Sequence, residues 1–188
     1  MKSILPAIVI ATGGLLGLAS LGAQAADGTI TITGTLSNTT CSINGKTSGT
    51  AADVAVTLPT VSAGALSAAG TVGGTSGPTD ITMALTGCTG GATKAIATFE
   101  NGSTVDQSNG YLTNQASTTP ATNVEVRLLN ASMQPINIVT GLNNDIASNG
   151  ATITTGSANL KYFAQYYATG KATPGNVSTN VQYTMQYQ

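Results

Sequence analysis

The last eight residues of the chain, Val181–Gln188, read VQYTMQYQ, a pattern that indicates the class of secondary structure. Apolar or aromatic side chains stand at every second position, with Gln or Thr between them. Successive side chains of a β-strand point to opposite faces, so this period of two predicts a strand with one buried face and one wetted face. The predicted inward set is Val181, Tyr183, Met185 and Tyr187.

The same period of two recurs upstream, between turn-forming pairs such as Asn44-Gly45 and Asn109-Gly110. About eight short strands with frequent turns predict one all-β domain, an immunoglobulin-like antiparallel sandwich. The Thr-rich composition also suits a low-complexity stalk, but the regular apolar faces favour a folded sandwich. The single helical candidate is a turn near residues 65–69. The alternating sets are Ile30, Ile32 and Leu36; Val54, Val56 and Leu58; Ile81, Met83 and Leu85; Ala95, Ala97 and Phe99; Val124, Val126 and Leu128; the run Ile136 to Val139; and Leu160, Tyr162, Ala164 and Tyr166.

Charged side chains are scarce, at 7% of the 188 residues, and the formal net charge is −1 with no His. Such a surface lacks the positive field that holds a nucleic acid or an anionic membrane. The acidic residues are scattered singly, without a nucleophile and base pair or a set of metal ligands, and the Gly-rich runs lack the Lys-Ser/Thr ending of a phosphate loop. The sequence therefore predicts a protein that is not an enzyme, with no cofactor, no metal and no small-molecule substrate.

The N-terminal 25 residues, 1–25, are predicted to be a secretory signal peptide. The apolar run Ile4–Leu21 precedes the small-residue cleavage site Ala23-Gln24-Ala25. A membrane anchor is the rival interpretation because the run reaches the minimum length of a spanning helix, but Pro6 and several glycines interrupt it. We expect the mature chain to begin at Ala26 and to be exported.

Cys41 and Cys88 are the only cysteines, and behind an export signal an even count predicts one disulfide. A metal pair or a reactive thiol is the alternative, although no His or further Cys is present to complete such a site. A bridge that closes a loop of about 50 residues contributes on the order of 4 kcal/mol in the chain-entropy description. We expect reduction to weaken the fold.

Several segments, taken in order, resemble the subunits of type 1 fimbriae, which assemble by the chaperone-usher route. The stretch ADGTITITG at 26–34 resembles the alternating donor strand of that family, including its glycine at Gly34, and Cys41 follows at the expected distance. VEVRLL at 124–129 resembles the central strand, and YYATGKATPG at 166–175 resembles the late turn. The segment 176–188, with its penultimate tyrosine, resembles the last strand.

The resemblance implies an immunoglobulin-like fold that lacks its final strand, with a hydrophobic groove beside the C-terminal strand. Residues 26–38 would be an N-terminal donor-strand extension, and residues 39–188 would form the pilin domain. The implied donor residues are Gly28, Ile30, Ile32, Gly34 and Leu36. The implied groove and chaperone-docking residues are Val181, Tyr183, Met185 and Tyr187.

The resemblance also implies the partners and the location. The partners would be neighbouring pilin subunits in a linear polymer, a periplasmic chaperone and an outer-membrane usher. The chain would pass through the periplasm to the cell surface, and the fimbria would support cell adhesion.

Three alternatives stay open at this point. The N-terminal strand could complete its own sandwich, so that the molecule is self-complemented. The chain could be a minor fimbrial adaptor. It could also be a secreted sugar-binding β-sandwich, although Trp is absent and most of the six tyrosines fall within predicted strands near the C-terminus.

Overall fold

The computed structural model of the chain describes residues 28–36 and 38–188. The chain divides into two compact units, Met1–Thr35 and Leu36–Gln188. In the first unit, the described residues 28–35 form no helix or strand, and Ile30 and Ile32 are 90% and 89% exposed. The predicted signal peptide, residues 1–25, lies outside the described residues.

The regular secondary structure of the second unit is almost entirely β-strand, as the alternating pattern predicts. None of the helices in the described ranges is long and apolar enough to cross a membrane. In chain order the elements are β1 (Thr40–Ile43), a 3-10 helix (Ala63–Leu66), β2 (Val72–Gly73), β3 (Ile81–Thr89), β4 (Lys94–Phe99), β5 (Leu112–Thr113), β6 (Val124–Leu129), α1 (Ile146–Asn149), β7 (Ala151–Thr152), β8 (Ala158–Ala168) and β9 (Tyr183–Tyr187).

The strands form two sheets, and every pairing between them is antiparallel. The first sheet has the order β1-β3-β8-β6-β5, with β2 pairing beside β8, and the second has the order β7-β4-β9. The disulfide Cys41–Cys88 joins β1 to β3, which confirms the predicted bridge. The long strand β8 is the centre of the first sheet because β3 pairs with its first half and β6 with its second half.

The main core lies between the two sheets, and the predicted inward faces of β3, β4, β6 and β8 supply most of it. Tyr162 of β8 connects the sheets, since its hydroxyl accepts from the Ala97 N–H at 3.1 Å and its ring packs edge-to-face on Phe99 with centroids 5.1 Å apart. Burial raises the pKa of Tyr162 to about 12, so the hydroxyl stays neutral at physiological pH. The alternation of apolar and polar residues therefore correctly predicts which face each of these strands buries.

Several local predictions differ from the structure, and neither of the strands predicted at Ile30–Leu36 and Val54–Leu58 forms. Residues 136–139 form a loop and not a strand. The side chains of Ile136 and Ile138 are buried. The Asn137 side-chain oxygen stabilises the loop by accepting from the Thr140 N–H. The predicted helical turn near 65–69 is a 3-10 helix a little earlier, capped by Ser62. The short helix α1 was not predicted, and the Asp145 carboxylate caps it by accepting from the Ser148 N–H at 2.9 Å.

A candidate binding groove between two unpaired edges

An apolar groove of about 1000 Å³ opens in the second unit between two stretches of chain, residues 49–58 and 177–185. Side chains of the first sheet and of β4 form its floor. Every one of these floor side chains is apolar or aromatic, so the groove suits an apolar occupant. The floor residues are Ile81, Met83, Phe99, Leu112, Val126, Leu128, Ala164 and Tyr166.

One side of the groove, here the first lip, is residues 51–61. Its burial alternates as in a strand: Ala52 is buried, Val54, Val56 and Leu58 are half-buried, and the residues between them are exposed. No strand forms here, although the sequence predicts one at Val54 to Leu58. The predicted face is correct, but none of the described residues supplies the neighbouring strand that a hydrogen-bonded ladder requires.

The opposite side, here the second lip, is residues 177–187 and includes β9. One edge of β9 is paired, since Gln188 exchanges both backbone hydrogen bonds with Lys94, and the Gln182 carbonyl accepts from the Glu100 N–H at 2.9 Å. In an antiparallel ladder, every second residue of a strand bonds to the same neighbouring strand. Gln182 and Gln188 bond to β4, so the odd-numbered residues between them direct their N–H and C=O groups to the opposite edge of β9. Among the described residues β9 pairs only with β4.

The backbone groups of Val181, Tyr183 and Met185 therefore face the groove, and their side chains, which line it, are half-buried. The chain just upstream of β9 is also held from the side away from the groove, because the Ser178 carbonyl accepts from the Gln115 N–H at 2.7 Å. The second lip is thus a rigidly held strand edge with a free row of donors and acceptors. Such an edge is a template for another strand.

A smaller cavity of about 430 Å³ continues the groove at one end. It shares Tyr166 and Val177 with the groove and lies over a second apolar cluster centred on Leu66 and Ala168. Val61 at the end of the first lip also lines it. Since Ala52 lies opposite Tyr183 and Val61 lies near Val177, the two lips run in opposite directions.

The groove can therefore take one extended chain. A strand laid between the lips would pair antiparallel to one lip and parallel to the other, with its alternate side chains directed at the apolar floor. Across residues 28–36 and 38–188, no three acidic or cysteine side chains lie close enough together to hold a metal ion. The hydroxyl of Tyr183 is neutral at physiological pH, because burial, and then the charge of Asp53, raise its pKa.

The sequence-predicted site residues divide into groups. Val181, Tyr183 and Met185 line the groove, whereas Tyr187 is half-buried opposite Ala95 and is not among the lining residues. Leu36 is 101% exposed, like its neighbours Ile30 and Ile32, and a Cβ added at Gly28 or Gly34 would meet nothing within 4 Å. The functional residues that sequence reasoning missed are the floor, the smaller cavity and the first lip as an opposing wall. The alternation Val54, Val56, Leu58 was the available signal for that wall.

Comparison with known proteins gives four informative matches. Residues 58–188 match the family model of FimA, type-1 fimbrial protein A. The chain is 45% identical over 180 residues to the major fimbrial subunit SMF-1 of Stenotrophomonas maltophilia (strain K279a), covering 92% of this chain and 99% of that protein. It is 39% identical over 185 residues to the F17 fimbrial protein of Escherichia coli, covering 93% and 96%. A solved structure of a chaperone-usher pilus matches with a TM-score of 0.54 at 22% identity, covering 97% of this chain and all of that chain.

The structural likeness extends to a second protein, the antigen and type I fimbria protein BPSL1626 of Burkholderia pseudomallei. It matches with a TM-score of 0.51 at 20% identity and covers 79% of this chain and 95% of that chain. At these sequence identities the structural likeness supports the assignment of the fold alone. It confirms the predicted immunoglobulin-like β-sandwich.

Proposed function

The chain belongs to the type-1 fimbrial protein family, a family of structural pilus subunits carried to the cell surface, and we propose that it polymerises by donor-strand exchange. The N-terminal extension of one copy, residues 26–38, would lie as an additional strand in the groove of the next copy. The observation that carries this proposal is a groove with an apolar floor, the unpaired edge of β9 on one side and the backbone of residues 51–61, outside any strand, on the other. An extended apolar strand satisfies all three surfaces at once.

The N-terminal segment has the features of such a strand. Ile30, Ile32 and Leu36 are almost fully exposed, and large apolar side chains in that state are an aggregation hazard unless a partner covers them. Burying the three of them contributes about 5 to 9 kcal/mol by transfer free energies, before the costs of association are subtracted. Gly34 would fit where the groove is too narrow for a side chain.

The arrangement explains why the product is a filament. Each copy donates with one surface and accepts with a different one, so the interface is heterologous and does not close on itself. Repeating the contact adds copies indefinitely in one direction. The same groove needs cover before polymerisation, which is the role we assign to a periplasmic chaperone that lends a strand and to an outer-membrane usher that accepts the subunit. Val181, Tyr183, Met185 and Tyr187 are the proposed docking residues for that strand.

The leading alternative is self-complementation, in which residues 26–38 fill the groove of their own molecule. It predicts a stable monomer, whereas strand exchange predicts polymers whose joints separate only when a subunit unfolds. Adhesion would belong to the assembled fibre, and the choice between a major and a minor subunit does not alter the joint.

Substitution in the donor segment tests the proposal. We expect Ile32→Asp to abolish the ladder of polymers that surface material shows in SDS gels without boiling, because a carboxylate would enter an apolar floor. Thr31→Asp is the matched control: its side chain lies on the opposite face of an extended strand, so the ladder should persist. A normal ladder from Ile32→Asp, or a single monomer band from the wild-type chain without boiling, would contradict donor-strand exchange.

A further inference from the structure

A single hydrogen bond connects the two lips of the groove. The Tyr183 hydroxyl of β9 donates to the carbonyl oxygen of Ala52 at 2.7 Å. Within the described ranges, this is the only hydrogen bond that the backbone of residues 51–61 makes, whether to other backbone groups or to side chains. The first lip is otherwise held by the burial of alternate side chains alone.

The two ends of this contact are not equally anchored. Tyr183 belongs to β9 and sits opposite Phe99 in the ladder with β4, and its ring is half-buried against the core. Ala52 is buried, with 7% of its surface exposed, but its neighbours Ala51 and Asp53 are exposed. The tyrosine therefore reaches from a fixed strand to a stretch of chain that has no ladder of its own.

We propose that Tyr183 is a positioning residue for strand uptake, whose hydroxyl braces the first lip at the distance from β9 that one inserted strand fills. Neighbouring strands in a sheet lie about 4.8 Å apart, so two strands that flank a third are separated by roughly 10 Å. A tyrosine side chain extended by one hydrogen bond spans a gap of this order. The brace rests on the proposed function, because it has a role only if the groove receives a strand.

The chemistry of the brace is compatible with an occupied groove. A carbonyl oxygen has two lone pairs, so Ala52 can accept from the tyrosine and from a backbone N–H of the inserted strand together. The ring lies among the groove-lining side chains with Met185, and it can remain beneath the inserted backbone. Burial, and then the charge of Asp53, raise the pKa of Tyr183 above its ordinary value of 10.0, so the phenol is protonated and able to donate through the neutral range.

The chain provides a control for the hydroxyl. Tyr167 lies on β8, does not line the groove, and packs its ring edge-to-face on Tyr111 with centroids 4.9 Å apart. Its hydroxyl makes no hydrogen bond to any of the described residues. Tyr183→Phe and Tyr167→Phe remove the same atom, and only the first removes the brace.

The test measures uptake of a fluorescent synthetic peptide, GTITITGTL, which has the sequence of residues 28–36, by the exported full-length chain purified as unpolymerised subunit. We expect Tyr183→Phe to slow uptake about five- to tenfold, the loss that one hydrogen bond represents, and Tyr167→Phe to leave the rate unchanged. Cleavage by elastase within residues 51–58 should become faster in Tyr183→Phe alone. Circular dichroism spectra of the three proteins should superpose.

Each other outcome has a distinct meaning. Equal uptake by wild type and Tyr183→Phe, or equal slowing by both tyrosine substitutions, would overturn the brace and leave donor-strand exchange standing. Peptide uptake by none of the three proteins would overturn donor-strand exchange, and the brace with it.

Discussion

Strand β8 and the first lip of the groove, residues 51–61, have the same alternating sequence pattern and opposite surroundings. In β8 the alternation is buried on the core face, and neighbouring strands pair with the backbone along its length. In the first lip the alternation is half-buried, and one side-chain hydroxyl is the only hydrogen-bond partner of its backbone among the described residues. A period of two thus fixes which face of a chain is buried, but not whether its edges are paired.

This difference in backbone pairing distinguishes residues that stabilise the subunit from residues that serve its assembly. The backbone groups of β8 are satisfied inside the subunit, so its residues contribute to folding. The groups of the first lip and of the facing edge of β9 need a partner, because exposed strand edges recruit other strands. Polar substitutions on the buried face of β8 should therefore unfold the subunit, whereas those on the groove-lining face of the lip should leave it folded and unable to polymerise.

The largest effect is expected from Leu160→Asp in β8. Leu160 is 3% exposed, and a carboxylate there would be buried without a partner, which destabilises a domain by 4 kcal/mol or more, roughly the scale of exceptional point mutations. We expect no folded subunit in the periplasm by immunoblotting. Asn159→Asp, on the exposed face of the same strand, is the control and should accumulate normally.

The next effect is expected from removing the disulfide between β1 and β3. Cys41→Ser with Cys88→Ser should lower the free energy of unfolding by on the order of 4 kcal/mol at most, since the bridge closes a segment with a sequence separation of 47. Thermal unfolding followed by circular dichroism measures the loss. Adding a reducing agent should destabilise the wild type and leave the double variant unchanged, and an equal response from both would contradict the assignment of the stabilisation to this bridge.

A smaller effect on stability, with a large effect on assembly, is expected from Val56→Asp in the first lip. Val56 is half-buried and lines the groove, so its replacement should cost about 1 kcal/mol of folding stability, the centre of the usual range, yet block strand uptake. Gel ladders and electron microscopy report the absence of fibres. Ala55→Asp, exposed and outside the groove lining, should assemble normally. Normal amounts of fibres from Val56→Asp would show that strand uptake does not depend on the first lip.

The smallest effect is expected from Glu125→Gln on the outer face of β6. Glu125 is 6% exposed, and burial, helped by the nearby Asp106 carboxylate, raises its pKa above the ordinary value of 4.5, while Asn109 donates to it at 2.7 Å and opposes the shift. A raised pKa in the folded state means that the stability gained from protonation is present below the unfolded pKa and is lost as pH rises through the folded pKa.

Glutamine is neutral at every pH, so the variant does not lose this part of the folding stability as pH rises. We expect Glu125→Gln to raise the melting temperature slightly at pH 7 and to leave it unchanged at pH 4. The pH dependence of thermal unfolding measures this, and a variant less stable than wild type at pH 7 would show that the carboxylate is needed for its hydrogen bond to Asn109.

Sequence alone accounts for the parts of the fold that depend on local periodicity. The inward residues of β3, β4, β6 and β8 follow from the pattern of two, and the disulfide follows from an export signal and a count of two cysteines. Pro135 and the Asn137 side chain turn the apolar run at 136–139 into a loop, a tertiary outcome that the same alternation does not show. The short helix α1 depends on one Asp cap and has too few residues to register as a helical pattern.

The groove could be predicted only in part for a related reason. Val181, Tyr183 and Met185 stand out because they end the chain in a clear alternation. The opposite wall, the smaller cavity and the hydrogen bond from Tyr183 to Ala52 join positions far apart in sequence, so no local spacing indicates them. The adjacency of two unpaired edges is a property of sheet order.

Photo-crosslinking can show whether residues 28–36 of one copy occupy the groove of another. Benzoylphenylalanine placed at Ile32 would be irradiated in fibres grown from a mixture of isotopically heavy and light subunits, and the linked peptides identified by mass spectrometry. Donor-strand exchange predicts links to groove residues such as Val56 and Met185 that combine heavy and light peptides. Links found only within peptides of one isotopic kind would show that each subunit fills its own groove, and would rule out donor-strand exchange.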